Sequence, residues 1–336
     1  MLVQSLVDGP IDVIGDVHGE WEILQRLIQQ MGYDSAGRHP QERKLVFVGD
    51  LADRGPDSPA VVLWVRDRVR EGRAQAILGN HEFNALEAAQ GGRLRKELCW
   101  LFPDAPPLLY RGQPVPQREA SPEQRQEILA FFRSLPLALE RQQPQPTRVI
   151  HAVWNSPLVD RLRHESDVVQ VYHRERDLLH HALEMAGGFD RTGANLILQN
   201  CNPVKHLLSG VETRSHIPIR VNEETRWEKR HPWWHDYKET PLVIIGHYWR
   251  IALPGETLYE SLFDGLPPDA LHGKGPVMCI DYSAGKRYRE RMQNGLSGPF
   301  HTRLAALRLP ENLLLFDNGE TMPLRDRRLS ASPVTR

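Results

Sequence analysis

Short apolar runs and amphipathic stretches alternate along the first part of the chain. Residues 11–14, 44–48 and 75–78 are apolar and β-branched, which predicts three buried strands. Between them, apolar residues recur at helical spacing over 20–31 and 58–70, each helix bounded by a glycine or proline signal. This β-α-β-α-β order predicts an α/β fold whose strands are joined by right-handed crossovers.

The remainder of the chain has a less regular pattern. Residues 83–147 are rich in proline and predict helices and loops, one of the helices opening at Ser121 and Pro122. Further strands are predicted in the following apolar runs: 147–153, 241–245, 277–281 and 304–316. Within a stretch rich in Arg, His and Trp at 155–240, residues 202–206 predict a polar loop.

We expect this pattern to form one domain over residues 1–325. Helical or loop-rich insertions are expected at about 92–147 and 155–240, and a disordered tail at 326–336. Apolar residues make up 40% of the 336 positions, which is enough for a large core.

Charge and cysteine content narrow the function classes. The net charge is −1, from 42 basic and 43 acidic residues, so no strong signal for nucleic-acid or membrane binding is present. Three scattered cysteines form no CxxC pair, which favours a reducing compartment. The first residues do not resemble a signal peptide, and no apolar stretch reaches the length of a membrane span. We therefore expect a soluble, cytoplasmic protein.

Polar residues follow each of the first three predicted strands. The segments are Gly15-Asp16-Val17-His18-Gly19, Gly49-Asp50-Leu51-Ala52-Asp53-Arg54-Gly55 and Gly79-Asn80-His81-Glu82. One such segment is weak evidence, because Asp and Asn are also common in turns and at helix N-caps. Three in this order predict a shared site, because parallel strands end at one edge of a sheet.

The residue types at this edge indicate a metal site. Carboxylate, amide and imidazole groups bind divalent ions, and two ions need a shared carboxylate. Two later histidines extend the pattern, because His151 lies in the run 147–153 and His247 follows Gly246 after the run 241–245. For each of them, a hydrogen-bonded core histidine is the alternative interpretation.

The three segments together resemble the metallophosphoesterase (calcineurin-like) superfamily. The ending Asp53-Arg54-Gly55 is similar to its phosphoprotein phosphatase branch, which includes bacterial Ser/Thr phosphatases and diadenosine tetraphosphatases. The motifs cover residues 1–85, and His151 and Gly246-His247 extend the match. The resemblance implies a four-layer α/β/β/α fold, in which a β-sandwich of two sheets is flanked by helices.

The resemblance also implies roles for individual residues. It implies six ligands of two divalent metal ions: Asp16 and His18 on the first ion, Asn80, His151 and His247 on the second, and Asp50 between them. Asp50 would bridge the two ions, for which manganese is expected and iron or zinc is the alternative. His81 would protonate the leaving group, Asp53 would orient His81, and Arg54 would bind the phosphate.

The implied reaction is hydrolysis of phosphate monoesters, phosphoproteins included, by attack of a metal-bridging hydroxide. An alternative is a bis(5'-nucleosyl)-tetraphosphatase-type hydrolase of nucleotide anhydrides, and a further alternative is a non-catalytic metal-binding scaffold. The expected substrate is a phosphorylated small molecule, a nucleotide or a phosphoprotein. A slot for stacking a base beside the metals would favour the nucleotide hydrolase, and an open groove would favour the phosphatase.

Two departures from the family pattern affect the substrate class. Trp154 follows the His151 segment closely, where the family often has a glycine. A second phosphate-binding arginine has four candidates: Arg214, Arg220, Arg226 and Arg250. The tryptophans Trp227, Trp233 and Trp234 either stack on a base or pack the insertion onto the core.

Overall fold

The computed structural model describes residues 1–221, 224–250, 262–263, 265–296 and 298–326. Its helices are α1 (Trp21–Gln30), α2 (Ser58–Arg70), α3 (Asn80–Ala89), α4 (Pro122–Ser134), α5 (Ser156–Leu162), α6 (Val168–Ala186), α7 (Arg191–Cys201), α8 (Pro203–Ser209) and α9 (Arg287–Asn294). Its strands are β1 (Val3–Ser5), β2 (Ile11–Ile14), β3 (Lys44–Phe47), β4 (Ala74–Ala76), β5 (Leu109–Tyr110), β6 (Gln113–Pro114), β7 (Ala138–Arg141), β8 (Thr147–Ile150), β9 (Glu212–Val221), β10 (Glu224–Arg230), β11 (Leu242–Ile245), β12 (Val277–Cys279), β13 (Ala305–Leu309), β14 (Leu313–Phe316) and β15 (Thr321–Pro323).

Two sheets of different strand order form the centre of the molecule. The first has the order β15-β14-β13-β2-β3-β4, and its β2, β3 and β4 are parallel. The second has the order β1-β7-β8-β11-β12, in which only the β7–β8 pair is antiparallel. Of the parallel strands, β2 and β11 are buried along their whole length, as expected for strands covered on both faces.

The core explains why the sheets face each other. Apolar side chains of both sheets, among them Val13, Val46, Val149 and Ile244, form one buried cluster between them. The opposite faces pack against helices in a second, larger cluster, which includes Leu24 of α1 and Leu207 of α8. The expected α/β fold, two sheets flanked by helices, is therefore confirmed.

The first two predicted helices form where the apolar pattern placed them. Helix α1 buries Ile23, Leu24, Leu27 and Ile28 on one face, which follows from their spacing. Helix α2 begins after Asp57, whose side chain accepts the Ala60 amide at 2.8 Å, with Pro59 in the first turn. Both crossovers thus lead the chain back to parallel strands.

The insertion at 155–240 differs in part from the expectation. It contains α5 to α8, but also a long antiparallel hairpin of β9 and β10 that the sequence pattern did not indicate. The hairpin lacks a clean apolar alternation because much of it is exposed. The expected polar loop at 202–206 is wrong, because the Asn202 side chain accepts the amides of Val204 and Lys205 and starts α8.

Strand β7 lies within the region 92–147 for which helices and loops were expected, and it joins the second sheet. The predicted disordered tail falls on residues of which only 326 lies inside the described part of the chain. In that part, no helix combines the length and the apolar character needed to cross a bilayer.

Candidate metal centre

Strand ends from both sheets deliver polar side chains to one place. Asp16, Asp50 and Asn80 follow β2, β3 and β4, while His151 and His247 follow β8 and β11. A sixth polar residue, which the sequence analysis did not single out, is Asp281 after β12. Apart from Asn80, these side chains are almost fully buried.

The backbone at these strand ends is unusual. Five non-glycine residues of the site have positive φ angles: His18 (49°), Asp50 (48°), Asp53 (73°), Arg54 (71°) and His247 (67°). Such conformations are rare outside glycine and persist where the surrounding structure enforces them. Close backbone packing contributes here, because a Cβ atom on Gly79 would lie 2.3 Å from the Asp50 amide nitrogen.

Two histidines present a lone pair to the same space. The Nδ1 of His18 lies 2.9 Å from the Ala52 carbonyl oxygen, and that of His151 lies 2.7 Å from the Val48 carbonyl oxygen. A carbonyl only accepts hydrogen bonds, so each Nδ1 is protonated, and Nε2 carries a lone pair when the imidazole is neutral. Metal-binding histidines typically donate the N–H of their other ring nitrogen to a carbonyl or carboxylate in this way.

Asp50 lies between two groups of potential ligands. Its Oδ2 is 3.6 Å from His18 Nε2, and its Oδ1 is 3.3 Å from His151 Nε2. The ligand atoms of His18, Asp50 and His81 all lie within 4.8 Å of one another, and so do those of Asp50, His151 and His247. Asp50 is therefore common to two groups, as a bridging ligand has to be.

The predicted ligand sets and the observed groups differ at one place. The sequence expectation pairs Asp16 with His18, whereas the first close group contains His81 instead. Asp16 contacts the second group, where its Oδ2 accepts the His247 amide at 3.0 Å. In the second group, Asn80 Oδ1 is 3.1 Å from His151 Nε2 and 2.8 Å from His247 Nδ1.

The side chains fit metal ions better than they fit one another. His151 Nε2 faces oxygens of Asn80 and Asp50, which it can meet either by carrying a proton or by sharing a metal ion with them. Three buried atoms of the site, Asp16 Oδ1, His247 Nε2 and Asp281 Oδ2, have no hydrogen-bond partner in the described part of the chain. Buried polar atoms without partners are rare, so each is a candidate ligand atom.

The electrostatics of the acids agree with this fit. Burial, and then the nearby Asp281, hold the pKa of Asp16 well above its usual range. For Asp50 burial acts in the same direction, but His151 and His81 outweigh it and hold the pKa well below the usual range. A set of crowded carboxylates of this kind is relieved by cations.

Asp53 holds the His81 ring through its Nδ1 atom. The His81 Nδ1 lies 2.5 Å from Asp53 Oδ2, and the other Asp53 oxygen accepts the indole N–H of Trp100 at 2.5 Å. Burial lowers the pKa of His81, but Asp50 and Asp53 outweigh it, so the pKa is raised from 6.5. Trp100, which lies 47 residues from Asp53 in the chain, was not identified from the sequence.

The Arg54 guanidinium faces the imidazole rings of His18 and His81. Its Nη1 is 3.1 Å from His18 Nε2 and its Nη2 is 3.0 Å from His81 Nε2. Because a guanidinium only donates, both Nε2 atoms accept here. The two guanidinium ends therefore point toward the interior of the site, where an oxyanion would meet them.

Glu82 organises the backbone of two motifs. Its carboxylate accepts the amides of Asp50 and Leu51 at 2.8 Å and that of Gly79 at 2.9 Å. Burial and then Asp50 raise the pKa of Glu82 to about 7, against the donation by Gly79. The sequence signal was present, since a glutamate three residues after an N-cap is typical of a capping box.

Of the four candidates for a second phosphate-binding arginine, the three whose side chains the structure describes have other partners. Arg214 pairs with Asp190, Arg226 pairs with Glu212, and Arg250 points away to the Pro267 and Cys279 carbonyls. The Arg220 side chain lies outside the described residues. Arg230 of β10 reaches the site instead, where its Nη1 donates to the His247 carbonyl at 3.3 Å.

The aromatic residues near the site divide into two kinds. Trp233 and Trp234 are buried and pack the insertion onto the core, which favours the second interpretation given for them. Trp227 is 44% exposed. Trp249, two residues after His247, borders the site and is 39% exposed.

The family assignment follows from a direct comparison. The chain belongs to the calcineurin-like phosphoesterase family, whose model matches residues 9–270. The resemblance drawn from the three motifs is therefore confirmed.

Curated relatives match over a shorter stretch. The asymmetrical bis(5'-nucleosyl)-tetraphosphatase PrpE of Oceanobacillus iheyensis is 41% identical over 90 residues, which is 26% of this chain and 36% of that protein. The protein of the same name from Halalkalibacterium halodurans is 45% identical over 73 residues, 21% of this chain and 30% of its own. The chain thus spans about a third of the length of these relatives. A solved cold-active protein-tyrosine phosphatase of a psychrophilic Shewanella has 17% identity and a TM-score of 0.47, covering 96% of this chain and 82% of its own.

Proposed function

We propose that this chain is a metal-dependent phosphoesterase that hydrolyses phosphate esters or anhydrides. The carrying observation is the pair of ligand groups that share Asp50, with Arg54 and His81 directed into the same space. The scaffold alternative explains the ligands but gives no reason for the proton donor and guanidinium beside them.

Six residues would hold the two ions. They are the six of the sequence prediction: Asp16, His18, Asp50, Asn80, His151 and His247. When bound, two divalent ions would supply positive charge to phosphoryl oxygens and lower the pKa of a water molecule. Oxygen and imidazole donors suit manganese, and iron or zinc remain alternatives.

The remaining residues act on the substrate. Arg54 would bind phosphoryl oxygens through both terminal nitrogens, a geometry suited to oxyanions. Binding of the phosphoryl oxygens would draw the Arg54 guanidinium away from His81 Nε2, and this nitrogen could then carry a proton. Asp53 holds the opposite nitrogen, so the His81 proton at Nε2 would be aimed at the leaving oxygen.

The substrate is the finer part of the proposal. A phosphate monoester, including a phosphoprotein side chain, is the first candidate, because the ligand groups, Arg54 and His81 together serve one reacting phosphoryl group. A nucleotide anhydride is the second candidate, favoured by the tetraphosphatase relatives.

The test uses manganese-loaded protein and two substrates side by side. Release of phosphate from a phosphopeptide is compared with release of nucleotides from diadenosine tetraphosphate. Turnover of either substrate that is lost after chelation and regained with manganese supports the phosphoesterase. Absence of turnover of both, with metal shown to be bound, would contradict it.

A further inference from the structure

Three basic side chains converge on one aromatic ring beside the metal centre. The Lys286 Nζ lies 3.9 Å from the centre of a Trp249 ring, and the Cζ atoms of Arg230 and Arg54 lie at 5.3 and 5.5 Å. Lys286 is only 9% exposed. Cation–π contacts of this kind hold the charged groups in place.

This basic cluster (Arg54, Arg230 and Lys286) borders both groups of metal ligands. Gly285 lies against the His18 ring, since a Cβ atom there would be 2.2 Å from His18 Cδ2. Lys286 is the next residue in the chain. Arg230 contacts the His247 carbonyl on the other side.

The cluster has no direct ion pair in the described ranges, although the Asp281 carboxylate acts electrostatically on Lys286 and Arg230. Arg54 donates to imidazoles and Arg230 to a carbonyl, and none of the three cations forms an ion pair with a carboxylate in the described ranges. Burial lowers the pKa of Lys286 to about 7; Asp281 opposes this, and the other neighbouring cations add to it. Three neighbouring, partly or fully buried cations without direct carboxylate partners favour an anion from outside the chain.

A single phosphoryl group does not account for all three cations. In the proposed function, Arg54 and the metal ions contact the phosphoryl group that reacts. Lys286 and Arg230 then remain without an anion when the substrate is a monoester. A second phosphoryl group, linked to the first, would supply it.

We propose that Lys286 and Arg230, held against Trp249, bind a second phosphoryl group, so that the site selects phosphoanhydrides over phosphate monoesters. This inference rests on the proposed phosphoesterase function and specifies its substrate class. With ADP, a water oxygen bonds to the terminal phosphorus and the bridging P–O bond breaks. AMP, whose phosphate is the group bound by Lys286 and Arg230, leaves with the electron pair of that bond, inorganic phosphate forms, and one proton of the water is released.

The kinetic test compares two substrates with leaving groups of similar basicity. The ratio of kcat/KM for ADP to that for p-nitrophenyl phosphate is measured in the wild type and in Lys286→Met. The ratio should fall about tenfold or more, because the variant loses a charge-assisted contact that only ADP makes. Lys286→Arg should keep the ratio within about threefold, since it retains the charge. Lys238→Met, at an exposed lysine, is the matched control and should leave the ratio unchanged.

A binding test works without turnover. Calorimetry measures the affinity of the metal-loaded protein for imidodiphosphate and for inorganic phosphate. The wild type should bind imidodiphosphate more tightly than inorganic phosphate. In Lys286→Met the ratio of the two affinities should fall about tenfold, while the metal content stays the same. If Lys286→Met misfolds, Trp249→Leu, which removes the ring that holds the lysine, should show the same loss.

The outcomes separate the two proposals. Turnover of both substrates with a ratio that Lys286→Met leaves unchanged would overturn the second-phosphoryl site and leave the phosphoesterase standing. Equal losses for both substrates would also overturn it. No turnover, combined with a preference for imidodiphosphate that depends on Lys286, would overturn the phosphoesterase and support the binding site.

Discussion

The Glu82→Gln substitution tests whether one buried carboxylate holds the metal centre together. The Oε2 atom of Glu82 accepts the amides of Asp50 and Gly79, and Oε1 accepts that of Leu51, with the Ala52 amide at 3.4 Å. In glutamine, one of these oxygens becomes an NH₂ group, which cannot accept. Up to two buried amides then face a donor instead of an acceptor.

The magnitude follows from the number of lost acceptors. Each buried donor without an acceptor costs about 1–3 kcal/mol, so the free energy of unfolding should fall by about 2–6 kcal/mol. That is a large part of the about 5–15 kcal/mol typical of a folded domain. Because Asp50 is positioned by the same contacts, manganese affinity should fall about 10–100-fold.

The assay is urea unfolding of the metal-free protein, followed by a manganese titration. The control is Glu123→Gln, an exposed glutamate in the first turn of α4, for which a change within about 0.5 kcal/mol is expected. If Glu82→Gln changed stability as little as the control and bound manganese normally, the organising role of Glu82 would be refuted.

Three further predictions concern the reacting groups. Asp50→Asn should abolish turnover and lower the manganese content, measured by elemental analysis, because the shared ligand is lost. His81→Ala should keep the metals but slow turnover about 10²–10⁴-fold, with a smaller loss for acidic leaving groups such as nitrophenol. Asp53→Asn should lower the pKa of His81, because it removes an acid that raises it. The proton donor is present below that pKa, so activity in a pH–rate profile should begin to fall at lower pH than in the wild type.

Each of these expectations has a contradicting result. Normal turnover in Asp50→Asn would exclude a shared metal ligand at that position. A loss in His81→Ala that is equal for all leaving groups would argue against proton donation. An unchanged alkaline limb in Asp53→Asn would mean that His81 does not determine it.

The strand-end motifs could be predicted because their information is local. Asp16, Asp50 and Asn80 are each separated from the preceding apolar run by a single glycine. The ends of parallel strands lie together at one edge of the sheet. His247 follows the same rule in the second sheet, after Gly246, whereas His151 lies inside the predicted run 147–153 and directly follows β8. The structure gathers all of these side chains, while their assignment as ligands stays a prediction.

Other parts of the site depend on contacts that no local pattern encodes. Arg230 and Trp100 reach the centre from an insertion and a proline-rich region, where the neighbouring sequence gives no sign of their destination. The position of Lys286 follows from the close packing of the neighbouring Gly285 against the His18 ring. The β9–β10 hairpin escaped prediction for a related reason, because exposed strands do not alternate between apolar and polar residues.

Metal stoichiometry against activity tests the central claim most directly. Metal-free protein is titrated with manganese, and phosphate release from p-nitrophenyl phosphate is measured at each step. The account predicts that activity rises to a plateau at two manganese ions per chain. Activity that is full without metal, that reaches its plateau at one ion, or that never develops although two ions are bound would contradict it.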